Sequence, residues 1–172
     1  MNFRRMIKME YEVRQATMLD TEFIITLLED ICSLHHEGRD DIFKNSGSKY
    51  NYQDLAELFE REDIFIDICT DNEDNRLGYI FQVLKTTDED NCRYAQRVLY
   101  IDDLCVDSSR RSKGVGAILM ESAKKLAERL GCSRIELNVW DFNKKAISFY
   151  EQLGYTPQRH IYELKVERPD QN

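Results

Sequence analysis

The segment Arg110-Arg-Ser-Lys-Gly-Val-Gly116 joins a strand-like run to the most strongly helical stretch of the chain. Glycine in a helical turn costs about 1 kcal/mol relative to alanine, yet two of the seven glycines stand here, two positions apart. That placement makes sense where a ligand must approach the backbone closely. A helix N-terminus offers free N–H groups and a partial positive charge, which suit an anion such as pyrophosphate. Arg110, Arg111 and Lys113 add positive charge to an otherwise acidic chain. Two phosphate loops are excluded. Lys113 precedes the glycines, so Gly-x-x-x-x-Gly-Lys-Ser/Thr is absent, and Leu119 stands where the dinucleotide pattern needs its third glycine.

A second feature is the carboxylate pair Asp102-Asp103 inside the strand-like run Tyr100-Ile-Asp-Asp-Leu-Cys-Val106. Carboxylates in a central strand are costly to bury unless they are paired or functional. Metal chemistry has little support. There is no Cys-x-x-Cys pair, and His35 and His36 are adjacent, not one helical turn apart. Neither acidic turn, Thr70–Asn75 nor Thr87–Asn91, matches a calcium loop with its closing Glu.

The elements that must hold these residues can be read from periodicity. Tyr11–Ala16 is expected as a strand, followed by a helix from about Asp20 carrying Phe23, Ile24, Leu27, Leu28 and Ile31 at helical spacing. Leu34–Asn51 reads as loop and turn, and Tyr52–Glu62 as a second helix. Ile64–Cys69 and Arg76–Lys85 predict an antiparallel hairpin, with a further strand near Arg97–Val106. From Gly114, Val115, Ile118, Leu119, Ala123, Leu126 and Leu130 form an apolar stripe that Gly131 ends. Ile135, Leu137 and Val139 alternate as a strand, Lys144–Leu153 is a last helix, and Arg159–Val166 can close the sheet. The fold class is α/β (α+β): a mixed sheet covered by helices.

The chain has 172 residues, a net charge of -8 and a pI near 5.0. That acidity argues against general binding to nucleic acid. No apolar run approaches a membrane span, no apolar segment follows the basic residues of Met1–Glu10 as in a signal peptide, and the five cysteines are widely spread. A cytoplasmic location with reduced thiols is the expectation. Only two prolines occur, near the end, and no linker or repeat divides the chain, so one domain is expected over residues 1–172, with its core at about 10–166.

With these residues in hand, the sequence resembles the GNAT superfamily of acyl-CoA-dependent N-acetyltransferases. Arg111-x-x-Gly-x-Gly116 matches that family's pyrophosphate signature, Gln/Arg-x-x-Gly-x-Gly/Ala. Asn143-x-x-Ala-x-x-Phe-Tyr-x-x-x-Gly-Tyr155 matches its second hallmark. The resemblance implies a mostly antiparallel sheet in which two parallel strands, Ile101–Val106 and Arg134–Trp140, splay to admit the pantetheine arm of acetyl-CoA. Leu104, Cys105 and Val106 would line the arm through their backbone. Arg111, Ser112, Lys113, Gly114, Val115, Gly116 and Ala117 would cradle the pyrophosphate, and Asn143, Ala146 and Phe149 would lie near the cofactor.

The implied chemistry is attack of a neutral amine on the thioester. Asp102 is the preferred general base, with Asp103 in reserve or facing the acceptor. A backbone N–H near Leu104 or Cys105 would meet the oxyanion, and Tyr150 would protonate the departing thiolate. Cys105 has no evident activating base, which argues against an acyl-enzyme. His35 and Arg39 fall where related enzymes form the acceptor wall, although Asp40 replaces the proline of the corresponding Arg-Pro turn. The expected partner is a small-molecule amine. A peptide amine, and a non-catalytic acetyl-CoA sensor, are the alternatives, and a homodimer is possible.

Overall fold

A computed structural model describes residues 11–166. The chain divides into two compact units, residues 1–138 and 139–172. In the first unit, five strands form one sheet in sequence order: β1 (Glu12–Gln15), β2 (Ile64–Thr70), β3 (Arg76–Thr87), β4 (Gln96–Val106) and β5 (Arg134–Leu137). The first three pairings are antiparallel, and β4 with β5 is parallel.

One face of this sheet carries α1 (Thr21–Gly38) and α2 (Tyr52–Phe59). Their buried Ile24, Leu27, Leu28 and Leu55 pack with Ile66, Ile68, Tyr79, Phe81 and Cys105. These strand residues alternate, as a half-buried face requires. The helix α3 (Val115–Arg129) also packs on β2, β3 and β4, burying Val115, Leu119, Met120, Ala123 and Leu126. Gly131, with φ +66°, ends that helix. Of the apolar stripe read from sequence, Val115, Leu119, Ala123 and Leu126 are buried, Ile118 and Leu130 are only half-buried, and Met120 and Ala127 complete the buried face.

Asp20 ties three segments together. Fully buried, it accepts bonds from Arg14 Nη1 and Nη2 at 2.9 Å, Arg76 Nε at 2.6 Å and the Thr17 amide at 2.8 Å. These partners outweigh the burial that opposes its charge and hold its carboxyl well below the usual range. Thr17 and Asp20 form a reciprocal capping box at the start of the helical segment.

Two expectations are corrected. Residues 34–38 are helix, not loop, because nothing before Gly38 breaks α1. His35 and His36 fall in its last turn, where a helix C-terminus tolerates them well, and the following loop folds back so that His36 Nδ1 bonds the Phe43 carbonyl at 2.9 Å. Residues 159–166, expected to close the sheet, form neither strand nor helix, and their apolar side chains are exposed. In the second unit, α4 (Lys144–Gln152) is the regular element among the described residues.

Candidate active site

The phosphate-loop residues stand at the head of α3. After a 3-10 turn at Ser108–Arg110, Ser112 and Gly114 take positive φ, +61° and +88°. Gly114 is the N-cap and supplies no side-chain bond, so no cap side chain occupies the first-turn amides. A Cβ at Gly114 would meet no atom within 4 Å, so the space in front of the helix end is open. Arg111 Nε donates to the Val106 carbonyl at 3.1 Å and Lys113 Nζ to the Ser109 carbonyl at 3.1 Å, which folds both basic side chains over the loop. Val115 is buried and roots the helix, while Gly116 and Ala117 lie half-buried beside it. An uncapped N-terminus, open space and local positive charge fit a pyrophosphate.

The loop is fed by a strand whose edge opens. Pairing of β4 with β5 runs only from Val98↔Arg134 to Ile101↔Leu137, although β4 continues to Val106. The strand expected over Arg134–Trp140 therefore stops at Leu137, and residues 102–106 lack a β5 neighbour. The Asp107 amide bonds Leu77 of β3 at 2.9 Å. By strand alternation the backbones of Cys105 and Asp103 turn toward β3, and those of Leu104 and Val106 toward the open edge. Of the three residues expected to line a pantetheine arm, Leu104 and Val106 thus have the suitable orientation. Cys105 instead points its side chain into the core, where burial pushes its thiol up to about 12, too high for a nucleophile at neutral pH.

At the start of this open stretch lies a β-bulge. Phe81 pairs with Asp103, while its neighbour Gln82 pairs with Ile101, leaving Asp102 as the extra residue. Adjacent strand residues normally face opposite sides. Here the bulge brings both carboxylates into one group beside Phe81. Asp102 Oδ2 accepts from Lys49 Nζ at 2.6 Å and from the Tyr50 hydroxyl at 3.0 Å, and Tyr50 stacks on Phe81. Asp103 Oδ2 accepts from the hydroxyl of the fully buried Tyr79 at 3.1 Å. Burial raises the Asp103 carboxyl to about 6, with the positive charge of Lys49 and the Tyr79 bond pulling the other way.

His35 is drawn toward this group as well. Burial and the field of Lys49 lower its pKa, which favours a neutral ring, and it packs against Phe43 with centroids 4.8 Å apart. Arg39 is turned to Asp41, through Nε at 2.7 Å and Nη2 at 3.0 Å. Lys49, Tyr50 and Tyr79 escaped the sequence reading. The first two precede the α2 cap in a stretch without periodicity. Tyr79 occupies a core position of β3 that any large apolar residue would fill equally well.

In the second unit, Asn143 caps α4, its Oδ1 accepting from the Ala146 amide at 3.1 Å. Tyr150 packs edge-on against Phe149 and Tyr155, with centroids 5.2 and 5.9 Å away. Among the described residues, no group of three His, Cys, Asp or Glu could hold a metal, and no helix is long and apolar enough to cross a membrane.

Comparison with known proteins identifies the family. The chain is 42% identical over 60 residues to the L-ornithine N5-acetyltransferase of Arabidopsis thaliana, covering 35% of this chain and 26% of that one. It is 32% identical over 137 residues to a probable glucosamine 6-phosphate N-acetyltransferase of Drosophila melanogaster, covering 79% and 57%. The chain thus spans well under two thirds of these relatives' lengths. The crystal structure of a mutant of the BH1408 protein from Bacillus halodurans superposes with a TM-score of 0.87 at 28% identity, covering 91% of this chain and 99% of that one. The model of the acetyltransferase (GNAT) family matches residues 28–155, from α1 through the Gly-Tyr after α4, and the chain belongs to that family.

Proposed function

We propose that the protein transfers an acetyl group from acetyl-CoA to the primary amine of a small molecule. The observation that carries this reading is the acidic pair at the bulge, set at the start of the unpaired edge of β4. Acetyl-CoA supplies the activated thioester. The loop Arg111–Ala117 would hold its pyrophosphate, the Leu104 and Val106 backbone would face its arm, and Asn143, Ala146 and Phe149, which fit the family's second motif, would lie near it.

An alkyl amine with a pKa of about 10.4 arrives protonated. Asp103, rather than the Asp102 preferred from sequence, is the better acceptor of that proton, directly or through a water. Its carboxyl lies at about 6 instead of 3.8, which makes the transfer less uphill by about 3 kcal/mol at 1.36 kcal/mol per unit. Asp102 is engaged by Lys49 and Tyr50 and serves to position them. The Leu104 N–H, on the open edge, also bonds the Asp103 carboxylate and would have to turn from it to meet the oxyanion. Tyr150 is assigned the proton return to the thiolate on the Phe149-Tyr150 match to the family.

The curated relatives act, by name, on ornithine and on glucosamine 6-phosphate, both small primary amines. That favours a small acceptor over a protein N-terminus or lysine. A panel of diamines, basic amino acids, amino sugars and peptides, read by release of free CoA, tests the proposal. Turnover of a small amine above peptides is expected. Turnover of peptides alone would replace the acceptor class, and no turnover of any amine despite acetyl-CoA binding would favour a sensor.

A further inference from the structure

Lys49 sets a positive charge inside a group otherwise made of carboxylates and aromatic rings. Its Nζ donates to Asp102 Oδ2 at 2.6 Å and lies 5.1 Å from the centre of the Tyr50 ring. Its field also reaches Asp103 and His35 and pulls the pKa of each downward. The side chain stays reachable from solvent, with 45% of its surface exposed against 23% for Asp102.

The contact with Asp102 is of a kind that can be exchanged. An ion pair between partly exposed side chains contributes little to stability. Asp102 does not depend on it either, because the same Oδ2 accepts the Tyr50 hydroxyl at 3.0 Å and keeps that donor when the ammonium turns away. Residues 39–50 form neither strand nor helix, so Lys49 is set in no ladder. Its long arm carries three rotatable donors.

An acceptor amine brings its ammonium to the acidic pair, and whatever else it carries meets Lys49. A second ammonium is repelled there, whereas a carboxylate or phosphate finds a donor that needs only to trade one anion for another. We infer, resting on the acetyl-transfer reading of this site, that Lys49 selects acceptors carrying an anionic group, carboxylate or phosphate, besides the reacting amine, by swinging from Asp102 to that group. The incoming ammonium takes the place of Lys49 beside the acidic pair while Lys49 neutralises the far anion. Every charge keeps a counter-charge throughout. A diamine instead leaves two ammonium groups and Lys49 to share Asp102 and Asp103.

Four acceptors with the same four-carbon amine arm, ending in methyl, carboxylate, phosphate or a second ammonium, test this. By CoA release, an anionic arm should have a kcat/KM roughly ten- to hundredfold above the methyl arm, the span of one charged hydrogen bond. The diamine should fall at or below the methyl arm, and whichever anionic arm gains more identifies the anion. The advantage should lie in KM, because the contact is made before and during reaction alike. Lys49→Met should bring the anionic and methyl arms level, and Lys49→Arg should keep the order. Each ratio is taken within one variant, so a change in the base or in folding that is common to all acceptors cancels. Titration calorimetry of the same acceptors on the CoA-bound protein reads the order without chemistry. Turnover of none of them would therefore count against acetyl transfer, while binding would still decide the role of Lys49. Wild-type binding that ignores the far end of the arm, or that favours the diamine, would overturn the inference. So would an anionic preference that survives Lys49→Met.

Discussion

Replacing Asp103 by Asn should destroy turnover while making the protein more stable. In the folded chain the carboxyl lies at about 6, against 3.8 for the free group. A raised carboxyl pKa means that the folded state holds its proton more tightly than the unfolded state does. Ionisation therefore opposes folding: the penalty is absent well below pH 3.8 and complete above about 6. Linkage puts it at about 1 kcal/mol at pH 4.5 and about 3 kcal/mol at pH 8. Asn keeps an oxygen to accept the Tyr79 hydroxyl, so the geometry survives and the penalty disappears. For a chain of this size, about 3 kcal/mol corresponds to a Tm gain of roughly 6–12 °C. The gain should shrink to about a third of that at pH 4.5. Scanning calorimetry of wild type and Asp103→Asn at both pH values, alongside CoA release at saturating amine, measures the two halves of the claim. A gain of equal size at both pH values would refute the proton linkage. Retained turnover would return the role of base to Asp102 or to water.

The same electrostatics governs the wild-type pH profile: kcat/KM should fall as pH drops through about 6, as Asp103 takes up its proton. Lys49→Met removes a positive charge that lowers that pKa, so the acidic limb should move to higher pH, and an unmoved limb would separate Lys49 from the base. Gly78→Ala places a Cβ 2.6 Å from the Cys105 carbonyl, where β3 meets β4. Chemical denaturation should show a loss of about 1–3 kcal/mol, as for other overpacked sites. Tyr150→Phe should lower kcat without weakening acetyl-CoA binding by calorimetry, and unchanged kcat would remove Tyr150 as the acid. Arg111→Ala should reduce the thermal shift produced by acetyl-CoA, and an undiminished shift would free Arg111 from the phosphate site.

The elements with strong periodicity were legible in the sequence. In α3, Val115, Leu119, Ala123 and Leu126 repeat at helical spacing, and all four are buried. The glycine loop was legible because Gly114 stands at a backbone angle, φ +88°, that other residues avoid. The C-terminal run was misread: its composition suits a strand, but residues 159–166 form none, because composition alone supplies no partner edge. Lys49 illustrates the harder case. It lies 53 positions from Asp102 in sequence, and no periodic pattern links the loop after α1 to a bulge in β4. The balance of the acidic pair was also out of reach. Two neighbouring aspartates look equivalent on paper, and only the Lys49 contact on one and the Tyr79 bond on the other make them unequal.

The bulge in β4 can also be viewed as a matter of length. Eleven residues, Gln96–Val106, run alongside the ten of β3 from Gly78 to Thr87. Because Asp102 is the surplus residue, the cross-strand partners on both sides of it keep their places: Ile101 opposite Gln82 and Asp103 opposite Phe81. The Asp102 carboxylate behaves as an insertion, so removing it need not disturb the reading frame of the sheet. Deleting Asp102, unlike substituting it, should leave a regular ladder that still carries Asp103, and should release the loop that Lys49 and Tyr50 tether to the strand.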